Sequence, residues 1–260
     1  MPPASTPHHA AMSRRTLLGG LTLGAVSGAC PLRAAPATGI RAIAFDAFPI
    51  FDTRSLAAAV REAFPEQGER LMAIWSQKLF DYAWLDTAAD QFQDFDILAG
   101  KALRFAAAMV GVPLSEARCQ VLVAAYSTLD IWPDVRPVLD RLHAGGIRMA
   151  FLSNMTDAML RSNISHTGLE RYFEPPLSTG RVRRYKPSPA AYQMAIEAFG
   201  LPREAIGFAA FGGWDAVGAT WFGYRSAWIN RLGLPAEPLG PEPAIVSRGL
   251  EGVLALAGLA

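Results

Sequence analysis

The sequence has little cysteine and, at its start, no acidic residues. Its 260 residues include only Cys30 and Cys119, and the first 37 residues contain neither Asp nor Glu. If that first segment is removed as a leader, Cys119 is the one cysteine left, which excludes an intrachain disulfide. No internal repeat or low-complexity segment follows the first segment, which excludes repeat and fibrous architectures.

Basic and acidic residues are also nearly balanced. The first 37 residues hold three of the 24 basic residues, Arg14, Arg15 and Arg33, so 21 bases face 23 acids in the remainder and give a net charge of −2. A near-neutral chain with scattered charge offers no electrostatic attraction for a nucleic acid. The remainder, about 220 residues, can bury one core and a small accessory domain.

Residues 1–37 have the organisation of an export signal. Arg14 and Arg15 precede a mostly apolar stretch from Thr16 to Ala29, and small residues follow. The paired arginines indicate the twin-arginine route, and Ala35-Pro36-Ala37 suits cleavage. The apolar stretch is too short to span a bilayer comfortably. We therefore predict a periplasmic or secreted protein without a stable membrane span.

Lipid attachment at Cys30 is the alternative fate of the leader. The residue three positions before this cysteine is Ser27, where an aliphatic residue is expected for lipidation. The sequence therefore favours cleavage over a lipid anchor.

Residues 40–52 organise the rest of the chain. The apolar run Ile43–Phe45 ends abruptly at Asp46, and the turn-forming Pro49 follows. This pattern indicates a buried parallel strand that delivers a carboxylate to the carboxyl edge of a sheet, where the ligands of open α/β sheets bind. A simple turn-capping role for Asp46 is the alternative.

The next stretch is helical throughout. Apolar residues recur at spacings of three and four in four successive segments, at 57–64, 66–85, 92–110 and 115–129. Because no strand pattern separates these segments, they predict a helical cap over residues 55–131.

From residue 132 onward, predicted strands and helices alternate. Strand patterns at 147–152, 173–177, 206–211 and 226–229 are separated by helical ones. This order predicts an α/β fold, a Rossmann-like doubly wound parallel sheet built from residues 38–54 and 132–260 with the inserted helical cap subdomain. A cap above the strand ends forms a cleft for a small-molecule substrate.

Polar residues stand at the junctions of the predicted core: Asp46, Ser153, Asn154, Lys186 and Asp215. Each has an ordinary alternative, since Asp is a good helix N-cap and a loop lysine can be a solvated charge. Their joint order in an α/β chain with a cap is more specific. We therefore predict that they face one cleft.

These motifs resemble the haloacid dehalogenase superfamily, and within it the type II (L-2-haloacid) dehalogenases. The resemblance covers essentially the whole chain after the leader. It rests on Phe45-Asp46-Ala47-Phe48, the cap segment Trp75 to Leu85, Leu152-Ser153-Asn154, Tyr185-Lys186-Pro187 to Tyr192, and Trp214-Asp215-Ala216 with Trp228-Ile229-Asn230-Arg231.

The resemblance implies hydrolysis of carbon–halogen bonds in small (S)-2-haloacids through an aspartyl ester. Asp46 would attack the halogen-bearing carbon, and Lys186 would hold it ionised. Asp215 would position or deprotonate the water that attacks the ester. Ser153 and Asn154 would bind the substrate carboxylate, and Trp75 and Tyr192 would contact the substrate.

The chain departs from the family pattern at four positions. A hydroxyl is lost at Ile50, the halide-binding arginine of the cap helix is replaced by Ser76, and two groups that hold the hydrolytic water are replaced by Ala210 and Gly212. Arg54, just past the first motif, is our candidate for the missing positive charge at the substrate.

Two other functions stay open: a diverged hydrolase of this fold acting on another small acid or a phosphate ester, and a catalytically silent protein that binds a small acid. The resemblance implies that a magnesium-dependent phosphatase of this fold would have the pattern Asp-x-Asp at the end of the first strand. Here Phe48 stands two residues after Asp46. Since Mg²⁺ prefers several hard oxygen ligands, we expect no metal and no cofactor. A homodimer is left open.

Overall fold

A computed structural model describes residues 39–260. The predicted twin-arginine signal, its cleavage site and Cys30 lie outside these residues. The strands are β1 (Ala42–Phe45), β2 (Phe51–Asp52), β3 (Asp130–Ile131), β4 (Arg148–Ser153), β5 (Leu177–Ser178), β6 (Ile206–Ala210), β7 (Arg225–Ile229) and β8 (Ile245–Ser247). The helices are α1 (Arg54–Ala63), α2 (Gly68–Ala89), α3 (Phe95–Val110), α4 (Glu116–Ala124), α5 (Val135–Ala144), α6 (Asp157–Thr167), α7 (Pro189–Phe199), α8 (Gly213–Phe222) and α9 (Gly252–Ala257).

Six strands form one sheet in the order β5-β4-β1-β6-β7-β8. Every neighbouring pair in it is parallel, and Phe45 at the end of β1 lies opposite Phe151 of β4 and Ala209 of β6. The predicted α/β fold with a doubly wound parallel sheet is confirmed. The nucleophile candidate Asp46 therefore follows a central strand.

The central strand is buried on both of its faces. Ile43 and Phe45 belong to the larger apolar cluster, whereas Ala42 and Ala44 belong to a second cluster. Alternate residues of a strand point to opposite faces, so a run without polar residues is what a strand covered by helices on both sides requires. The abrupt change to Asp46 marks the point where the strand leaves this apolar environment.

Helices α1 to α4 form the segment between β2 and β3, as the periodicity predicts. Ser115 caps α4 by accepting a hydrogen bond from the Arg118 N–H at 3.2 Å. The last predicted helix, at 115–129, is shorter in the structure, because α4 ends at Ala124 and a single 3₁₀ turn follows over Ala125–Ser127. The cap boundaries at 55 and 131 stay a prediction.

Three strands were not predicted from the sequence. β2 and β3 pair antiparallel, with Phe51 opposite Ile131 and Asp52 opposite Asp130, and β8 pairs with β7. β2 and β3 have two residues each, which is too short for a periodic pattern. The predicted strand at 173–177 was wrong in its position, since β5 covers only Leu177–Ser178.

None of the helices in residues 39–260 is both long and apolar enough to cross a membrane. In the same part of the chain, Cys119 has a free and buried thiol.

Candidate active site

The centre of the site is a buried lysine between two carboxylates. Lys186 Nζ lies 2.8 Å from Asp46 Oδ1 and 2.6 Å from Asp215 Oδ2. Asp46 follows β1, and Asp215 lies in the first turn of α8, just after the neighbouring strand β6. The lysine side chain is 1% exposed, and a buried ammonium is tolerated only when carboxylates or other acceptors compensate its lost hydration. The sequence placed these three residues together, and the structure brings them together.

The electrostatics of this group keep the lysine charged. Burial opposes the charged form of Lys186, but the attraction of Asp215 and Asp46 outweighs it and raises the lysine pKa. Burial raises the pKa of Asp215 to about 6, and repulsion by Asp46 adds to this effect while Lys186 counteracts it. Such a value lies close to neutral pH, where a general base works best.

Tyr192 binds Asp215 and does not contact the cavity. Its hydroxyl donates to Asp215 Oδ1 at 2.7 Å, and its ring is fully buried. Burial and the negative charge of Asp215 raise the tyrosine pKa well above its ordinary value, so the phenol stays a donor. Both carboxylate oxygens of Asp215 are therefore occupied. The contact of Tyr192 with a substrate, expected from the sequence, has no support in this geometry.

Ser153 and Asn154 present donors next to Asp46. Ser153 Oγ accepts the Met155 N–H at 3.2 Å, which leaves its own proton available. Asn154 Oδ1 accepts the Lys186 N–H at 3.0 Å and the Thr179 hydroxyl at 3.3 Å. The asparagine amino group has no partner in the described part of the chain. A hydroxyl and an amide N–H₂ are suited to bind a carboxylate.

A cavity of about 400 Å³ opens beside these residues. Asp46, Ser153, Asn154 and Lys186 line it, whereas Asp215 lies behind Lys186 and is not part of the wall. Most of the wall is apolar or aromatic, with Phe48, Leu56, Phe80, Phe95, Tyr126 and Trp214. Apolar walls with a few convergent polar groups are typical of small-molecule sites.

Like Tyr192, two further predicted substrate contacts, Arg54 and Trp75, do not reach the cavity. Arg54 binds Asp52, with Nη2 2.6 Å from Asp52 Oδ2, and its guanidinium lies 4.6 Å from the centre of the Trp132 ring. Trp75 is fully buried, and its indole N–H donates to the Ala99 carbonyl at 2.8 Å. The predictions that these two residues line the substrate site are not supported, since each has its contacts elsewhere.

The positions that depart from the family pattern lie either in the apolar core, as Ile50 and Ala210 do, or at the cavity wall, as Ser76 and Gly212 do. Ile50 is fully buried in the larger core cluster, and the Phe48 ring packs against Phe211 at 5.9 Å between centroids. Ser76 and Gly212 line the cavity. Among residues 39–260, the cavity wall contains no cationic side chain except Lys186.

Several wall residues were missed by sequence reasoning. Trp214 lies within a motif that the sequence analysis quoted, but its role there was not recognised. Tyr126 follows α4 and Phe95 begins α3, where nothing in the local pattern separates a cavity wall from ordinary packing. Leu232, Leu234 and Glu237 come from the loop after β7, which has no periodicity.

In residues 39–260 no group of three or more His, Cys, Asp or Glu residues is arranged to hold a metal ion.

Comparison with known proteins places these residues in a known family. The family described as "Hydrolase: haloacid dehalogenase-like hydrolase" matches residues 30–210. The chain belongs to this family. It is 35% identical over 205 residues to haloacetate dehalogenase H-2 of Moraxella sp. (strain B), covering 78% of this chain and 92% of that protein.

Further members support the same grouping. The (S)-2-haloacid dehalogenase of Pseudomonas sp. (strain YL) is 35% identical to this chain over 218 residues. The match covers 84% of this chain and 94% of the relative. The crystal structure of the L-2-haloacid dehalogenase RSc1362 superposes with a TM-score of 0.81 at 37% identity, covering 84% and 98% of the two chains. The Xanthobacter autotrophicus L-2-haloacid dehalogenase with covalently bound chloropropionic acid gives 0.78 at 27% identity, covering 85% and 100%.

Proposed function

We propose that this protein hydrolyses the carbon–halogen bond of small (S)-2-haloacids through an ester on Asp46. The observation that carries the proposal is the ion pair of Asp46 with Lys186 at the wall of an apolar cavity, next to the free donors of Ser153 and Asn154. The relatives named (S)-2-haloacid dehalogenase support the choice of reaction.

The first half-reaction forms the ester. The substrate carboxylate accepts hydrogen bonds from Ser153 Oγ and the Asn154 amide, which directs C2 toward Asp46. Asp46 Oδ2, which accepts a long hydrogen bond from the Phe48 N–H at 3.3 Å, attacks C2, the carbon–halogen bond breaks, and the halide leaves with the bonding electrons. Lys186 holds the other oxygen at 2.8 Å and fixes the direction of attack.

The second half-reaction hydrolyses the ester. Water attacks the Asp46 carbonyl carbon, the ester bond breaks, and the 2-hydroxy acid leaves. Asp215, whose pKa is about 6, does not line the cavity, so the proton from this water reaches it through Lys186, which binds both Asp46 and Asp215. Formation of the ester removes the negative charge of Asp46, so the Lys186 ammonium remains as the cation next to Asp215.

One observation favours a second candidate, a diverged hydrolase acting on another small acid. Ser76 stands at the cap position where the family pattern has its halide-binding arginine, and Arg54 does not replace it. A cavity wall without a cation for the leaving group favours a substrate whose leaving group needs less stabilisation. A phosphate ester is disfavoured, because Phe48 puts an aromatic ring where a second carboxylate would be needed.

The experiment that tests the proposal is halide release by the purified protein from each enantiomer of 2-chloropropionate. Release from the (S) enantiomer alone, with a 2-hydroxy acid as the other product, is the expected result. A parallel phosphatase assay with Mg²⁺ tests the phosphate-ester alternative. Absence of turnover in both assays would favour a protein that binds a small acid without converting it.

We also propose export through the twin-arginine pathway to the periplasm or beyond. The support is the order of paired arginines, apolar stretch and small residues in the first 37 positions. Lipid attachment at Cys30 is the less favoured fate. A homodimer stays a prediction.

A further inference from the structure

The chain that follows β7 lies along one side of the cavity. Leu232, Leu234 and Glu237 come from this segment and line the cavity. Asn230, which is buried, holds the beginning of the segment: its side chain donates to the Leu234 carbonyl at 2.8 Å and accepts the Leu234 N–H at 2.9 Å. The segment is therefore fixed where it reaches the cavity, and Glu237 follows three residues later.

Glu237 lies against the first turn of α8. A Cβ atom placed on Gly213 would lie 3.0 Å from Glu237 Cγ and 3.4 Å from Glu237 Oε1. Gly212, Gly213 and Trp214, at the same end of this helix, also line the cavity. Because Gly213 has no side chain, the glutamate can approach the helix, and its carboxylate reaches the cavity wall.

No side chain of the protein neutralises this carboxylate. Glu237 is exposed, and within residues 39–260 its carboxylate takes part in no hydrogen bond and no ion pair. An exposed glutamate carries its negative charge at neutral pH. The N-terminus of α8 favours an acid at this place, but it contributes only a partial positive charge. Glu237 therefore adds a net negative charge to the wall.

The other charges of the site do not compensate for Glu237. Lys186 is the one cationic side chain of the wall in the described part of the chain, and it binds both Asp46 and Asp215. One ammonium and the three carboxylates of Asp46, Asp215 and Glu237 give a formal charge of −2. Such a site binds an anion only where specific hydrogen-bond donors offset the repulsion.

The donors of the site suffice for one carboxylate. Ser153 and Asn154 present them beside Asp46, where the C1 carboxylate of the substrate binds. A second carboxylate, at the far end of the substrate, would find no cation in the wall. The cavity of about 400 Å³ is about as wide as the Debye length of roughly 8–10 Å, so Glu237 would repel that second charge throughout the cavity.

We propose that Glu237 is a specificity-determining residue that restricts the cavity to acids with a single negative charge. The inference rests on the proposed function and narrows its substrate class to 2-haloacids whose far end is uncharged. Like charges about 8 Å apart, in surroundings between protein and water, change an equilibrium or a rate on the order of tenfold. Glu237 thus selects by charge, whereas the apolar wall selects by shape.

The test compares two substrates of nearly equal size. They are (S)-2-chlorosuccinate, which is a dianion, and its 4-amide, (S)-2-chlorosuccinamate, which is a monoanion. We expect wild-type protein to prefer the amide in kcat/KM, and Glu237→Gln to lower this preference on the order of tenfold by raising the value for the dianion. A variant that merely loosened α8 would change both values by the same factor, and an unchanged preference would overturn the inference.

Glu242→Gln is the matched control. Glu242 is an exposed acid of the same connection between β7 and β8, and it lies outside the cavity wall. The two variants lose the same charge, so a selectivity that arose from the net charge of the protein would change equally in both. We expect Glu242→Gln to keep the wild-type preference. An equal fall in preference in both variants would contradict a local role of Glu237.

Salt provides a second readout, because it screens charges that are exposed to solvent. Raising the ionic strength with an inert salt should reduce the preference for the amide in wild type and in Glu242→Gln. The preference of Glu237→Gln should respond less. The same salt dependence in all three proteins would overturn the inference.

A binding measurement separates this inference from the proposed function. Succinate and succinamate carry no halogen and can be titrated into each protein by calorimetry. If the wild-type protein releases no halide from any haloacid, the proposed function fails, and the ratio of these two dissociation constants still decides whether Glu237 selects by charge. A ratio that Glu237→Gln leaves unchanged would overturn the inference alone.

Discussion

Arg231 donates two hydrogen bonds to the carbonyl oxygen of Pro49, from Nη2 at 2.7 Å and from Nε at 3.2 Å. Its guanidinium also binds Asp134, with Nη2 2.9 Å from Oδ1, and covers the Trp132 ring at 4.5 Å. The Trp132 indole in turn donates to the Phe48 carbonyl at 3.1 Å. Arg231 and Trp132 thus hold the turn that follows Asp46, through the carbonyl groups of Pro49 and Phe48.

Arg231→Lys should therefore weaken both folding and catalysis. Lysine keeps the charge but cannot form the planar fork, and each lost hydrogen bond to a charged, buried group contributes about 1.5–3 kcal/mol. We expect the free energy of unfolding in urea to fall by about 2 kcal/mol and kcat to fall with it. Arg54→Lys is the matched control, because that side chain is 67% exposed. Equal urea midpoints for the two variants would contradict the structural role of Arg231.

Arg54→Ala should leave halide release almost unchanged. The sequence suggested that this arginine supplies the missing charge at the substrate, but in the structure it binds Asp52 outside the cavity. Since Arg54 does not line the cavity, we expect kcat/KM within about twofold of wild type, even if the lost ion pair with the buried Asp52 lowers stability. Loss of halide release with unchanged thermal stability would restore Arg54 to the site.

The rate of ester hydrolysis should fall below pH 6. Asp215 has a pKa of about 6 instead of its ordinary 3.8, so acid protonates it and removes the proton acceptor. Because the ester no longer carries the negative charge of Asp46, which helps to raise this pKa, we expect kcat to decrease with an apparent pKa above the ordinary carboxyl value and below 6. Asp215→Asn should abolish this limb together with most of the activity. An acid limb near the ordinary carboxyl pKa would show that another group accepts the proton.

The raised pKa of Asp215 also makes the free energy of unfolding depend on pH, but in the direction opposite to that of the activity. Between the ordinary pKa and about 6, the folded protein binds the Asp215 proton more tightly than the unfolded chain does. The contribution of this group to the free energy of unfolding is therefore fully favourable below the ordinary value and decreases as pH rises through about 6. Asp215→Asn should remove this dependence in urea unfolding.

Turnover in ¹⁸O-water should place label in the peptide that contains Asp46. If water attacks the Asp46 carbonyl carbon, one oxygen of this carboxylate comes from solvent in each cycle. Mass spectrometry of the digested protein measures this directly, and the peptide containing Asp52 is the internal control. Turnover without label in Asp46 would mean that water attacks the substrate itself. Asp46→Asn should lower the rate by several orders of magnitude, because an amide is a poor nucleophile.

Replacing Arg14 and Arg15 by lysine should retain the protein in the cytoplasm as a precursor. The twin-arginine route reads this pair, whereas lysine keeps the charge but not the signal. Fractionation and the size of the protein on a gel measure the outcome, and Arg33→Lys is the control with an equal loss of guanidinium. Normal processing of the double variant would refute export by this route.

The central group of the site could be predicted because its residues end apolar runs or stand at element junctions. Asp46 follows a short buried strand, and Asp215 follows the strand beside it in the sheet. Parallel strands share one carboxyl edge, so their order along the chain is enough to bring the two carboxylates together. Lys186 was assigned to the same cleft because it stands at an element junction, and its role beside Asp46 came from the resemblance.

The walls of the cavity could not be predicted for two physical reasons. Helix α2 carries aromatic residues on several faces, and only packing against α3 decides that Trp75 is buried while Phe80 faces the cavity. Arg54 has Asp52 two residues before it, and that nearby carboxylate satisfies the guanidinium without any need for the substrate site. A sequence motif does not show that a neighbouring side chain competes with the substrate for the same group.

The antiparallel pairing of β2 with β3 has a consequence for how such proteins diversify. The chain leaves the sheet region at Phe51 and returns at Ile131, and these two residues lie side by side. A segment whose ends are adjacent can be lengthened, shortened or exchanged for another without moving either flanking strand. Because this segment contributes Leu56, Phe80 and Phe95 to the cavity wall, the shape of the cavity can change during evolution while Asp46, Lys186 and Asp215 stay in place.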